Sequence, residues 1–434
     1  MVSFHLLSPS GVVGLGVCLA LLLTGCSDET LKIKGLNEWA QAVSNPGKDD
    51  VPCQAPRLQE RPGPVTTLRS RWHPLSVHAI ESGITEVALR AALESLEWVF
   101  TRWKLVGRPL PLPDGIRGGD PGLDIYLHQG PGPCAQAHLE FVATEQSFDS
   151  GIGFATVTVP RAKHALEECI VEAFVQTVLL GIDPAEAEVW RQATSHYLAA
   201  TLLGSAEDSA ALQEHRSQSW RGWLDASGGA VFWHLLERSK QVPAGDYALA
   251  MWERARQKSR TPRCLASSPH LWQVIAAELR ASGEVFDQAM TALSVSRFLT
   301  LPKQATPAVT DLGAKDLPQR TLFVDPALKP FGSGYVRVHF GNADAKPLRA
   351  WLKGEIGVLW SLVAVRLNEE GQELSRVSVP VRHDPKTYLR VEATPDTDSV
   401  LFVVTNLGQG IPTVHDEPST NVRGASLTLD STEK

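Results

Sequence analysis

The sequence carries no surplus of positive charge: 41 Lys and Arg stand against 48 Asp and Glu, giving a net charge of −7. No basic stripe runs through it, so the electrostatic footprint of a nucleic-acid partner is missing. None of the six cysteines stands in a CxxC pair, which argues against a zinc ribbon. There is no G-x-S-x-G turn for a serine nucleophile, and the neighbours Ser195 and His196 cannot face one another on a helix. The glycine-rich GIRGGDPG (115–122) lacks the strand-then-helix setting of a phosphate loop and reads as a turn. No internal repeat or low-complexity segment is present. With 43% hydrophobic residues over 434 positions, the chain has enough apolar material for two cores.

The apolar run GVVGLGVCLALLL (11–23) falls short of the roughly 20 residues a membrane-spanning helix needs. It has the length of a signal-peptide h-region and stops at Thr24-Gly25-Cys26. Leu23-Thr24-Gly25-Cys26 resembles the lipobox of bacterial lipoproteins, although the preceding MVSFHLLSPS has His5 and no Lys or Arg. The resemblance implies a signal peptide over 1–25, lipid on Cys26 and attachment to a membrane of the cell envelope. Ser27 after the cysteine resembles the lipoproteins sorted to the outer membrane. With Cys18 in the leader and Cys26 lipidated, Cys53, Cys134, Cys169 and Cys264 remain. An even number in an oxidising compartment favours two disulfides, with three pairings open.

Residues 26–65, with SNPGKDDVPCQAP and ERPGPV, read as a tether, with one short helix at 36–43. From 66 to 302 the pattern is mixed and then mainly helical. VALRAALESLEWVFTRWKLVG has Val87, Ala91, Leu93, Leu96, Val99 and Phe100 at helical spacing, while LDIYLHQ (123–129) and GFATVTVP (153–160) read as strands. Helices are expected near 163–181, 184–203, 208–216, 228–239, 246–258, 268–281 and 283–293. Residues 303–324 read as a linker. From 325 to 434, seven strands between turn residues predict an antiparallel β-sandwich, so the fold class is α+β.

The stretch ECIVEAFVQTVLL (168–180), followed by WRQATSHYLAA from Trp190, resembles the paired helices of gluzincin-type zinc metallopeptidases. There, HExxH sets two histidines one helical turn apart on one ion, and its glutamate takes a proton from the metal-bound water. A W-x-x-E-A helix supplies the third ligand. LDIYLHQ before the site, and GGAVFWHLLERS (228–239), GDYALAMWERA and the LKPFGSGYVRV entry to the sandwich after it, resemble further parts of exported members of that kind; the resemblance spans about 66–410. It places the three ligand positions on Val171, Val175 and Gln192, and the general-base position on Glu172.

Valine has no lone pair to offer, and a carboxamide is a poor zinc ligand, so this resemblance implies an inactive homologue with no cofactor. It further implies a cleft that binds peptide or protein segments, and a Cys134–Cys169 bridge at the cleft rim that leaves Cys53 for Cys264. From the residues alone, Val171, Val175 and Val178 are also what an ordinary buried helix face looks like. Two other readings stand beside the first. One is an active zinc peptidase with a relocated site built from His164, Glu168 and His196 around Glu172. The other is a structural or adhesive surface lipoprotein whose sandwich does the binding, which exposed aromatics such as Trp351 or Trp360 would favour.

Overall fold

The computed structural model describes residues 53–431 apart from 116, 120, 145–147, 161–162, 205–225, 259–263, 267–268, 301–308, 329, 341–346, 383–385 and 409–422. The expected leader, Cys26, the 36–43 helix and the 208–216 helix lie outside these residues. Asp50–Lys434 forms one compact unit, and its fold is α+β.

The first half is built on a five-stranded mixed sheet, in the order β2 (Thr66–Arg69), β3 (Leu75–Ala79), β4 (Leu123–His128), β6 (Asp149–Thr158), β5 (Ala135–Thr144). The three central strands run parallel, and β2 and β5 are antiparallel edges. Helix α1 (Glu86–Leu105) starts where the Thr85 hydroxyl accepts from the Ala88 amide at 3.2 Å. It buries Leu89, Ala92, Leu96, Val99, Phe100 and Trp103. The expected face of this helix is off at one end, since Val87 is 77% exposed and Leu89 points inward instead.

Helix α2 (Lys163–Ile182) is rich in apolar residues from Cys169 onward and lies in the middle of the half, against β6 and β5, α1 and helix α3 (Glu188–Leu202). Its approach to β6 depends on a residue without a side chain: a Cβ at Gly151 would sit 2.4 Å from the Leu180 carbonyl oxygen. Among the described residues no helix is long and apolar enough to cross a membrane. Helices α4 (Ala226–Lys240), α5 (Asp246–Ala255), α6 (Leu271–Ala281) and α7 (Phe286–Thr300) complete the half. A short pair, β1 (Cys53–Gln54) with β7 (Leu265–Ala266), joins the start of the described chain to the segment before α6.

The second half is a sandwich of two sheets. One has the order β13 (Glu373–Arg382), β12 (Trp360–Leu367), β15 (Ser399–Asn406), β10 (Ser333–His339), β8 (Val309–Gly313). The other runs β14 (Lys386–Val391), β11 (Leu348–Gly354), β16 (Arg423–Asp430), β9 (Gln319–Leu328). Inward residues such as Val338, Leu362, Phe402, Leu352 and Leu427 interleave into one core. The sandwich departs from the expected seven antiparallel strands: β8 and the start of β9 fall within 303–324, and β8 pairs parallel to β10. The far face of the five-stranded sheet is not left to solvent. Val295 and Phe298 of α7 pack on Tyr335, Val363 and Leu401, and the Tyr335 hydroxyl donates to the Ser294 carbonyl at 2.9 Å. Trp360 is core, stacked over Gly354, where a Cβ would meet the indole at 2.2 Å.

Candidate functional site

Helices α2 and α3 carry every residue of the expected centre, and the edge strand β5 lies beside α2. Val171 and Val175 are both 0% exposed, one turn apart on the buried α2, beside Phe174, whose ring meets Trp103 edge-on at 5.7 Å. Glu172 is turned toward α3, where its carboxylate faces His196 Nδ1 at 3.1 Å. Its other oxygen accepts from Gln176 Nε2 at 2.8 Å. Burial works against charge on His196, but Glu172 outweighs it, and the imidazole is held above its ordinary range. The general-base position is thus engaged in an ion pair. Gln192 is engaged too: its Nε2 donates to Glu188 Oε1 on its own helix at 3.0 Å, and Gln136 of β5 donates to the same oxygen at 3.0 Å.

Gln176 does more than hold Glu172. Its side-chain carbonyl accepts from the Ala137 amide at 3.0 Å, and its Nε2 donates to the Ala135 carbonyl at 3.2 Å. One carboxamide therefore stands where a neighbouring strand would pair with the outer edge of β5. Further along the same edge, the Leu139 carbonyl accepts from the Gln59 backbone amide at 2.8 Å. At Ala135, Ala137 and Leu139 the edge that an added peptide strand would use is occupied by the chain itself.

The expected bridge at the rim is present. Cys134, at the entry to β5, is bonded to Cys169 in α2, closing a loop with a sequence separation of 35. Cys264 is also disulfide-bonded, and Cys53 lies opposite Ala266 in the β1–β7 pair; the Cys53 side chain is outside the described residues. Of the relocated set, Glu168 is partly buried and His196 is the partner of Glu172, while the His164 side chain is outside the described residues. Among the described residues no three His, Cys, Asp or Glu side chains gather as metal ligands would.

Helix α3 is anchored behind this centre by Trp190, which meets Phe232, Trp233 and Trp272 at 5.8, 5.5 and 4.9 Å. The buried Thr194 hydroxyl accepts from the indoles of Trp233 and Trp252 at 2.8 and 3.0 Å. At the α2–α3 turn, burial pushes Glu186 up to about 6 even though the Ala187 and Leu271 amides donate to it.

A second polar cluster on the opposite face of the mixed sheet gives no local signal in the sequence. Arg61, from the stretch that reads as tether, bonds Asp114, Asp124 and Glu140. Asp124 also meets His78 Nε2 at 2.7 Å. Burial and the neighbouring Asp124 push Asp114 up to about 6, whereas His78 and Arg61 overcome the burial of Asp124 and hold it below the usual carboxylate range. Only the strand alternation L-D-I-Y-L hints at it, by placing Asp124 on one face with Tyr126.

No family model matches the chain, and no curated protein matches it. Among solved structures it is similar to the mitogen derived from Yersinia pseudotuberculosis, at 13% identity and TM-score 0.18, over 27% of this chain and 90% of that one. It is also similar to CorA, a surface-associated copper-binding protein of Methylomicrobium album BG8, at 9% identity and TM-score 0.19, over 29% of this chain and 98% of that one. Likenesses at this level carry no weight for fold or function.

Proposed function

We propose that this protein is an exported, lipid-anchored lipoprotein that works by binding and not by hydrolysis, with a helical half shaped like a gluzincin peptidase whose chemistry has been replaced by packing. One observation carries the reading: Val171 and Val175 are fully buried where ligands belong, and Glu172 is held by His196 and Gln176. Aliphatic branches cannot coordinate zinc, and a carboxylate spent on an ion pair has no metal-bound water to deprotonate. The lipobox-like segment ending at Cys26 and the Cys134–Cys169 bridge support an extracytoplasmic site of action.

Within this reading the binding surface lies on the sandwich. Gln176 and Gln59 already take the Ala135, Ala137 and Leu139 positions on the edge of β5, whereas Trp351 on the sandwich is 38% exposed. The test is casein hydrolysis by the purified protein with added zinc. The expected rate equals that of a Glu172→Ala variant; turnover that this substitution abolishes overturns the proposal in favour of a relocated metal site.

A further inference from the structure

The outer face of the four-stranded sheet is unlike the rest of this acidic chain. On β11 the inward residues Leu348, Ala350 and Leu352 alternate with outward Arg349, Trp351 and Lys353; on β14, Tyr388 and Arg390 point outward. The antiparallel register sets like beside like: Trp351 opposite Tyr388, Arg349 opposite Arg390, Lys353 opposite Lys386. On the other side of β11, Trp351 faces Thr428, which faces Arg320 of β9. The two aromatic rings lie 5.6 Å apart at 47°, with Trp351 38% and Tyr388 49% exposed.

Like charges directly opposite one another weaken a sheet. Such a pair on neighbouring strands, Arg349 opposite Arg390 beside an aromatic pair, is a cost that folding does not require. Arg390 is partly neutralised by Glu392 at 2.7 Å, and Asp430 stands opposite Arg349. Arg320, Arg349, Lys353 and Arg390 still outnumber those two carboxylates, on a chain whose net charge is −7. Alternate residues along a strand are about 7 Å apart, so cations lie on both sides of an aromatic platform at about that distance. Ring faces stack on the C–H faces of sugars, and Arg and Lys at this spacing reach carboxylate or phosphate substituents on the same or the next ring.

We propose that this face binds an anionic glycan, a sugar chain bearing carboxylate or phosphate groups. Nucleic acid also combines rings with negative charge, but for an exported chain, as proposed above, envelope glycans are the polyanions at hand. A bilayer surface takes apolar tips that protrude clear of the fold, whereas Trp351 and Tyr388 are only 38% and 49% exposed. The inference deepens the reading of a protein that acts by binding, yet its test does not depend on Cys26 or on the absence of hydrolysis.

The test is affinity electrophoresis of the full chain in non-ionic detergent, through gels containing polygalacturonate, phosphomannan, neutral dextran or single-stranded DNA, with flotation of the Cys26→Ser chain on phosphatidylglycerol vesicles alongside. Retardation by polygalacturonate or phosphomannan but not by dextran is expected. The affinity should fall at least tenfold in Trp351→Ala and in Lys353→Glu, be kept in Trp351→Phe, and weaken with salt. Both positions face solvent, and retention of the Cys134–Cys169 bridge and of the wild-type melting temperature reports an intact fold. Absence of retardation, equal retardation of the variants, equal or stronger retardation by DNA, or binding to vesicles without binding to glycan each overturns the proposal.

Discussion

Replacing Glu172 with Gln separates a structural carboxylate from a catalytic one. The Glu172 side chain is 7% exposed and faces a His196 side chain that is 22% exposed, at 3.1 Å. Glutamine keeps the shape and still accepts from Gln176, so the loss is confined to the charge on His196. A hydrogen bond to a charged group contributes about 1.5–3 kcal/mol; discounted for the exposure of His196, about 1–2 kcal/mol remains. The sign with pH follows from the raised imidazole. Its contribution is complete below the unfolded value of about 6.5 and is lost as pH rises through the higher folded value. Glu186 and Asp114, each pushed up to about 6, add their own decline with pH, but they do so in both proteins and cancel in the difference. Urea midpoints of wild type and Glu172→Gln at pH 5.5 and pH 9 read the effect. The variant should be less stable by about 1–2 kcal/mol at pH 5.5 and by clearly less at pH 9. An unchanged midpoint at both pH values, with a lost peptidase activity, would refute the ion-pair account and make Glu172 a general base.

Two further outcomes follow. Cys134→Ser with Cys169→Ser opens a loop with a sequence separation of 35, and the chain-entropy relation puts the loss at about 3–4 kcal/mol; a melting temperature that stays put contradicts a structural role for the bridge. Cells fed radiolabelled palmitate should label the wild-type protein but not Cys26→Ser, and equal labelling of the two removes the lipid anchor from the account.

Much of the architecture is legible from residue order because it rests on periodic patterns. The alternation in LDIYLHQ and GFATVTVP places β4 and β6, and the apolar-rich stretch 168–180 places α2. Strands β8 and β9 escape because VTDLG has little alternation and sits in a proline-bearing stretch that reads as a linker; only the partner strand β10 makes β8 a strand. The exposure of Val87 escapes because helical spacing fixes a stripe but not which end of it meets the sheet.

At the candidate site, sequence spacing assigns Val171, Val175 and Glu172 to one helix but is silent on partners. The hold of His196 on Glu172 and of Gln176 on β5 joins elements far apart in the chain, at contacts that no local pattern encodes. The exposed face of Trp351 is a related case. The sequence offers Trp351 and Trp360 alike, and the register with Tyr388 and the burial of Leu348, Ala350 and Leu352 turn Trp351 outward while Trp360 joins the core.

The most direct test of the central claim is the zinc content of the full chain after purification from zinc-replete medium and dialysis against metal-free buffer, by elemental analysis. Packing of Val171 and Val175 where ligands would stand predicts far less than one zinc per chain, unchanged in His196→Ala. One tightly held zinc per chain that disappears with His196→Ala contradicts it.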